Sequence, residues 1–172
     1  MTDPLAITLV SLAINVLLGV IVMWANPRRL ANRQFLGLII VGSCWLVALA
    51  FSFTARSEGS FLFWVRITSI VGALVPIAFR LVRLAVLTPS VAMLDLLKRS
   101  RWQLGVFSFI AIYCLTEFYM EGVRFPADGV PDPIHGSLAV LFPLLFLGLA
   151  GHEIVQLIRG IRSSRGIRRY EL

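Results

Sequence analysis

Cysteine and histidine each occur only twice in this chain of 172 residues, which leaves little material for metal or redox chemistry. Cys44 and Cys114 both fall inside apolar runs, without a neighbour at the spacing of a zinc site or a redox motif, so we interpret them as small buried residues. The sequence also lacks a glycine-rich phosphate loop and a nucleophile motif. We therefore expect a protein that is not an enzyme and that holds no metal ion.

Charged residues are also scarce, at 15% of the chain, whereas 58% of the residues are hydrophobic and the mean hydropathy is +0.87. This composition excludes an ordinary soluble domain. Apolar runs close to the roughly 20 residues that cross a hydrocarbon core predict five spans, at about 5–24, 35–53, 61–82, 102–120 and 137–157. We expect an all-α fold, a polytopic transmembrane helical bundle that forms a single domain over residues 1–172.

Basic residues lie almost entirely in alternate loops, and this asymmetry predicts the orientation. The positive-inside rule places the loops that hold them in the cytoplasm, so we expect the N-terminus outside and the C-terminus inside. The net charge of +7 is then explained by contact with anionic lipid headgroups, and no nucleic-acid partner is expected. Thirteen of the sixteen lysines and arginines are on this side: Arg28, Arg29, Arg33, Arg80, Arg83, Lys98, Arg99, Arg101, Arg159, Arg162, Arg165, Arg168 and Arg169.

The connections between the runs carry their own signals. Asn32 is placed to cap the second helix, and Pro76 removes one backbone hydrogen bond from the third, which predicts a kinked or tilted helix. Thr88 can cap a short amphipathic helix over about 89–100, with one apolar face lying on the cytoplasmic membrane surface. The loop at 121–136 holds three prolines and is expected to be irregular.

Ionisable residues at membrane depth are the first place to look for function, because each is costly unless it finds a partner. The third and fifth spans bring such residues to a similar depth, where Glu153 can form a salt bridge with an arginine. Neutralisation of buried charge that locks the two spans together is favoured over a signalling or ligand-binding role. The polar cluster consists of Arg80, Arg83, His152, Glu153 and Gln156.

Other intramembrane positions predict helix packing. Gly148 and Gly151 allow another helix to approach the fifth span closely, and Asn15 can hydrogen-bond to another helix or a partner subunit. Trp45, near the middle of the second span, could line a ligand pocket, although a packing role is favoured. Together with Pro76, these residues define the expected packing positions.

His152 is the one candidate for cofactor binding, because an imidazole beside glycines can ligate haem or a pigment magnesium. The second histidine, His135, lies in an outer loop, so two ligands from within the same chain are excluded. A helix-packing histidine is favoured. No cofactor is predicted, and contact with a pigment, haem or quinone is left open.

Two segments resemble a known family, the N-terminal seven-helix sensor region of bacterial histidine kinases. They are NRQFLGLIIVGSCWLVALAFSF and FLFWVRITSIVGALVPIAFRLV, and the SSRGIRRYEL segment is similar to the link that leads into a sixth span. This family has seven or more spans followed by a kinase, whereas this sequence has five predicted spans and no kinase histidine or ATP-binding region. The matching positions are Asn32, Phe35, Trp45, Trp64, Arg66 and Pro76.

The resemblance implies a sensory and anchoring role in a dimeric signalling protein of the bacterial inner membrane. The first hypothesis is a non-catalytic, multi-pass protein that acts through helix packing with another membrane chain or a second copy of itself. The alternative is an accessory or scaffolding subunit of a larger respiratory or photosynthetic complex, in contact with lipid, pigment or quinone. A small transporter is disfavoured because so few polar groups lie at the bilayer centre.

Overall fold

Long helices dominate the structure. The computed structural model describes residues 4–88, 92–126 and 131–164, with side chains described through Gly160. Among these residues, four helices are long and apolar enough to cross a membrane, at Pro4–Ala25, Leu30–Thr54, Glu58–Leu87 and Leu141–Gly160. The elements in chain order are α1 (Pro4–Ala25), α2 (Leu30–Thr54), α3 (Glu58–Leu87), α4 (Met93–Arg99), α5 (Arg101–Cys114), β1 (Met120–Arg124), β2 (Asp132–His135) and α6 (Leu141–Ser164).

Helices α2 and α3 pack along each other in opposite directions and form the centre of the bundle. Near one end Phe51 stacks on Trp64, with the ring centroids 4.5 Å apart. Near the other end Ala31 and Ala85 belong to the same buried cluster. Ser57 is the N-cap of α3, where its hydroxyl accepts a backbone N–H bond from the first turn. The corner between the helices is therefore short and well defined.

Helix α1 packs against α2 through Asn15. The Asn15 amide donates to Ile39 O at 3.1 Å and to Ser43 Oγ at 3.0 Å. The predicted hydrogen bond from Asn15 to another helix is thus present, and the helix is α2. Both donors of the amide are used, which leaves its carbonyl oxygen as a free acceptor in this pair.

Asn32 does not cap α2 as predicted. Helix α2 begins two residues earlier, at Leu30, with Arg29 as the N-cap. The Asn32 amide instead donates back to Val22 O at 3.0 Å and Asn26 O at 2.9 Å. It adds side-chain donors to carbonyl groups at the end of α1, where a helix leaves backbone acceptors exposed.

Helix α3 is longer than the predicted span at 61–82, and this changes the role of Thr88. Thr88 closes α3 as its C-cap, with its hydroxyl donating to Leu84 O at 2.7 Å, and so does not cap the next helix. Of the predicted amphipathic helix at 89–100, residues 89–91 lie outside the described residues, and Met93–Arg99 is helical. Leu96 in this helix is fully buried against the α2–α3 cluster.

The last six residues of the predicted span at 102–120 are not helical. Helix α5 has 14 residues and ends at Cys114, and residues 115–119 form turns. At 1.5 Å per residue such a helix is about 21 Å long, shorter than a hydrocarbon core of about 30 Å. The Tyr113 hydroxyl bonds to Leu138 O, so the helix ends where the chain folds back toward α6.

A β-hairpin replaces the irregular loop that the prolines predict at 121–136, so the fold is not strictly all-α. Strands β1 and β2 pair antiparallel, with Val123 opposite Pro133. A proline is tolerated because both strands of a two-stranded ribbon are edge strands. Met120 is buried, and its carbonyl accepts a bond from Arg66 Nη2 at 3.0 Å. The hairpin is thereby attached to the first turns of α3.

Helix α6 runs in the same direction as α3. The predicted span at 137–157 begins with turns at residues 137–140, and the helix begins at Leu141. Early in α6, Phe142 packs on Tyr119, with the ring centroids 5.5 Å apart. Further along, Leu149 joins the core cluster that contains Ala73 of α3. The two parallel helices are joined by the α4–α5 segment and the hairpin.

Candidate functional site

Glu153 is the centre of a buried polar network between α3, α5 and α6. Its side chain is 1% exposed. Oε1 accepts from Arg80 Nη1 at 3.1 Å and from Gln103 Nε2 at 2.6 Å. Oε2 accepts a hydrogen bond from Arg83 Nε at 3.2 Å, and it lies 3.1 Å from Arg83 Nη2, with which it forms an ion pair. The predicted salt bridge is present with both arginines.

The local helix geometry explains why these side chains meet. Arg80 and Arg83 are three residues apart on α3 and therefore share a face. On α6, Leu149 and Glu153 are four residues apart, and both are buried toward the bundle. Gln103 lies in the first turn of α5, which starts at this depth. Three separate helices thus contribute to one hydrogen-bonded cluster.

Arg80 extends the network to the corner between α4 and α5. Its Nε donates to Ser100 Oγ at 3.2 Å, and its Nη2 donates to Arg99 O at 2.9 Å. The Ser100 hydroxyl in turn donates to Leu96 O at 3.0 Å. One guanidinium therefore joins α3, the end of α4 and α6, because its planar fork presents donors in several fixed directions.

Two buried cations face one carboxylate in this cluster. The side chains of Arg80 and Arg83 are only 12% and 10% exposed, so the Glu153 charge compensates two largely buried guanidinium groups. Such a pair offers modest net stability, but loss of the carboxylate would leave both cations without compensation. The charge-assisted bonds orient the helices strongly. The chemistry of this arrangement is that of a cross-link between helices.

Gln103 also leaves one polar atom without a partner. Its amide nitrogen bonds to Glu153, while Oε1 is buried and accepts no hydrogen bond from the part of the chain that the structure describes. An unmet acceptor in a buried site is destabilising. The amide is therefore held in place by Glu153, which takes its N–H.

His152 and Gln156 lie beside the network without a hydrogen bond to Glu153 among the described residues. His152 Nε2 is 3.9 Å from Glu153 Oε1, and its side chain is 37% exposed. Its ring packs edge-on against Trp102, with centroids 5.2 Å apart. Gln156 is half-buried, and no hydrogen bond joins it to Glu153 within the described residues. His152 therefore borders the cluster at the limit of ion-pair distance, whereas Gln156 makes no described polar contact with Glu153.

Gly148 and Gly151 do not mark a close helix approach within this chain. A methyl group added at either position would meet nothing within 4 Å among the described residues. Helix α6 is rotated so that Leu149 and Glu153 face the interior of the bundle, and the two glycines do not lie on this face. Other glycines are approached closely by a neighbouring helix. Ile39 Cγ2 lies 2.8 Å from the position of a Cβ added at Gly19, and Trp45 Nε1 lies 3.2 Å from one added at Gly72.

Trp45 and Pro76 occupy the middle of the α2–α3 pair. Trp45 is 38% exposed, and its indole edge lies over Gly72. Pro76 is buried inside α3, which continues as a single helix through it. The predicted kink is not tested by these observations. Trp45 thus packs on α3 with one edge and remains accessible with the rest of its ring.

Gln103 and Ser100 are the members of the network that the sequence analysis missed. Gln103 gave a usable signal, because it is a polar residue within an apolar run that starts on the predicted cytoplasmic side. Alternating topology places it at the depth of Arg80 and Glu153. Ser100 gave no such signal, since its role depends on the break between α4 and α5.

No group of three or more histidine, cysteine, aspartate or glutamate residues suited to a metal ion occurs among the residues with described positions. The network itself offers two guanidinium groups and one amide, each bonded to the same carboxylate. Searches of protein-family models, curated proteins and solved structures found no match to this chain. The geometry is therefore the basis for any functional proposal.

Proposed function

We propose that this chain is a non-catalytic, multi-pass module of the bacterial inner membrane that acts through helix packing with a partner chain or a second copy. In this proposal its role is like that of the sensory and anchoring membrane region of bacterial histidine kinases, which its sequence resembles. The observation that carries the proposal is the Glu153 network, because it joins three helices and the α4–α5 corner through one buried carboxylate. A change in packing on one of these elements is felt by the others.

A fifth crossing through α5 is part of this proposal. Gln103, in the first turn of α5, contacts Glu153, and Tyr113, in the last turn, lies beside Tyr119 and bonds to Leu138 O. Helix α5 therefore runs from the Glu153 level to the hairpin level, antiparallel to α3 and α6. The turns at 115–119 and the hairpin add the length that the 14-residue helix lacks.

An orientation with the N-terminus outside is supported by the position of the segments rich in lysine and arginine, which lie at one end of the bundle. Ala31, Ala85 and Leu96 pack together, which brings the α1–α2 corner, the end of α3 and α4 to one end of the bundle. These segments carry most of the described lysines and arginines. A cytoplasmic position beside anionic headgroups suits this charge. Arg165, Arg168 and Arg169, which the sequence places on the same side, lie outside the described residues.

Coupling to the cytoplasm would pass through α6. Glu153 lies near the middle of this helix, which continues without a break to Ser164. The two arginines hold Glu153 from α3, so a shift of α3 changes the direction in which the end of α6 points. Rigid helices that have more than one packing arrangement are the usual carriers of such coupling.

Several positions of the family resemblance have packing roles in this bundle. Trp64 stacks on Phe51, Arg66 holds the hairpin through Met120 O, and Asn32 closes the end of α1. The residues that carry the resemblance thus lie at contacts between elements of this bundle. The proposal that the chain shares the family's role rests on these residues and on the network.

Co-purification tests the proposal. The tagged protein is extracted from its native membrane in mild detergent, and stoichiometric partners are identified by mass spectrometry and light scattering. The proposal predicts a homodimer or a complex with a signalling chain. A monomer without a stoichiometric partner would contradict it.

The accessory-subunit alternative is favoured by one observation, the exposed edge of His152. This ring is 37% exposed on the outside of α6 beside Trp102, where a pigment or a neighbouring subunit could reach it. Isolation of a stoichiometric respiratory or photosynthetic complex would support this reading. Absorption bands of haem or chlorophyll that disappear in a His152→Ala variant would support a cofactor role as well.

A further inference from the structure

A cavity of about 820 Å³ lies between the helices at the middle of the bundle. Its floor is formed by α2 and α3, with α1 on one side and α6 on the other. The volume is within the range of about 300–1,000 Å³ that is typical of small-molecule sites. The lining residues that decide its chemistry are Ser11, Asn15, Trp45, Gly72, Phe142 and Phe146.

Hydrogen-bond donors are available in this cavity. The Trp45 indole N–H has no acceptor, and the Ser11 hydroxyl has no partner, among the residues described by the structure. The Thr68 and Ser69 hydroxyls on the floor are already bonded to carbonyls of their own helix. Two of the lining residues therefore carry donors without an acceptor beside a mostly apolar lining, and a neutral carbonyl oxygen is a matching acceptor.

The walls favour a flat, apolar molecule. Phe142 and Phe146 lie nearly parallel, with centroids 6.1 Å apart and planes at 16°. The indole of Trp45 lies over Gly72, which has no side chain to hold it away from the floor. The lining contains no charged residue. A charged ligand would find no counter-ion here, so the complementary ligand is neutral.

Access to the cavity is from the lipid phase. Trp45 is 38% exposed, and the residues around it belong to helices that are long and apolar enough to cross a membrane. Ser11 and Asn15 come from the middle of α1, and Trp45 and Gly72 from the middle parts of α2 and α3. The opening is therefore at mid-depth, where a lipid-soluble molecule can enter sideways.

We propose that this cavity binds a neutral, lipid-soluble molecule with a flat carbonyl-bearing ring, of the quinone class, and that Trp45 donates a hydrogen bond to its carbonyl. The ring lies between Trp45 and the Phe142–Phe146 wall, and the apolar tail extends into the bilayer. This inference rests on the proposed function, for which the ligand would be the input. Only binding is proposed, without electron transfer.

A decyl-substituted benzoquinone is the probe, and its binding is measured by equilibrium dialysis against the protein in phosphatidylcholine nanodiscs. Saturable binding of one molecule per chain is expected. Trp45→Phe keeps the ring and removes the N–H, so it should weaken binding about fivefold, which is what about 1 kcal/mol for one hydrogen bond gives. Trp24→Phe is the matched control, because Trp24 is 86% exposed at the far end of α1, and it should bind as wild type.

Ser11→Ala removes the second donor, and its binding of the same probe is measured in the same way. If Trp45→Phe does not fold, the binding by Ser11→Ala tests the proposal alone. Weaker binding with either donor removed, together with failure of decylbenzene to displace the probe, supports the proposal. Absence of saturable binding, equal binding by all variants, or equal displacement by decylbenzene overturns it. Those results would leave the co-purification outcome unchanged, so this inference and the proposed function fail separately.

Discussion

Arg80 and Glu153 are separated by 73 positions in the chain, yet their side chains meet 3.1 Å apart in the interior of the helix bundle. The same arginine reaches Ser100 and Arg99, and the same glutamate reaches Arg83 and Gln103. This pair thus links contacts from α3, the α4–α5 corner and α6. The Arg80–Glu153 pair is therefore the contact on which the proposed coupling between these helices depends.

Replacement of Glu153 by glutamine should lower the stability of the bundle strongly. Glu153→Gln keeps the size of the side chain but leaves two buried guanidinium groups without a counter-charge. Loss of one partner of a buried ion pair costs about 3–5 kcal/mol. His135→Gln, at an exposed position at the end of β2, should change stability by less than about 0.5 kcal/mol. Thermal unfolding in detergent measures both, and equal midpoints would contradict a structural role for the pair.

Lysine should replace Arg83 more easily than Arg80. Arg83 directs its described polar contacts to one carboxylate oxygen, whereas Arg80 donates to Glu153, Ser100 and Arg99 O. A lysine ammonium supplies charge but not a planar fork. Arg80→Lys should therefore be less stable than Arg83→Lys by about 1–2 kcal/mol, since each lost bond is worth about 1 kcal/mol. The same unfolding assay ranks the two variants, and the reverse order would count against the geometry.

Cysteine labelling tests the fifth crossing and the orientation together. In a background with Cys44 and Cys114 replaced, single substitutions are made at exposed positions: Arg28→Cys, Arg56→Cys, Lys98→Cys and Phe125→Cys. A membrane-impermeant maleimide should label positions 56 and 125 in intact cells, and positions 28 and 98 only after the membrane is opened. Labelling of positions 98 and 125 from the same side would rule out a crossing through α5.

Gly136 should not tolerate a side chain. A Cβ at this position would overlap the backbone carbonyls of Glu117 and Phe118, where the end of β2 packs on the turns after α5. Gly136→Ala should therefore displace the hairpin and lower the unfolding midpoint. Gly105→Ala is the control, because an added methyl meets nothing within 4 Å in the described structure, and alanine favours a helix by up to about 1 kcal/mol. Equal effects of the two variants would contradict the position of the hairpin.

Hydropathy and charge predicted the long helices and a contact of Glu153 with Arg80 or Arg83. Apolar length is a direct requirement of the bilayer, and the direction of each run follows from its basic flank. The depth of Arg80 and Glu153 could therefore be estimated before the fold was known. The rotation of each helix could not be predicted, because a uniformly apolar run shows no inward face. The sequence therefore did not indicate that Gly148 and Gly151 meet no other helix among the described residues.

The hairpin and the short α5 depended on contacts that are distant in sequence. Apolar character continues to Met120, but the Tyr113 hydroxyl and the Arg66 guanidinium bind carbonyls beyond the end of α5 and draw the chain into turns and a strand. Prolines in the loop at 121–136 argued against strands, although an edge strand tolerates them. Asn32 was misassigned for a related reason, since its partners belong to the preceding helix.

The distance between the C-terminal ends of α3 and α6 reports directly whether Glu153 holds the two helices together. Spin labels are placed at Val86 and Ile158, both of which are exposed, in a background with Cys44 and Cys114 replaced, and the distance distribution is measured by pulsed electron paramagnetic resonance in nanodiscs. A narrow distribution of the Val86–Ile158 distance is expected in the otherwise unchanged protein and in His135→Gln. A broadened or shifted distribution is expected in Glu153→Gln. An unchanged distribution in Glu153→Gln would contradict the claim that this carboxylate holds α6 against α3.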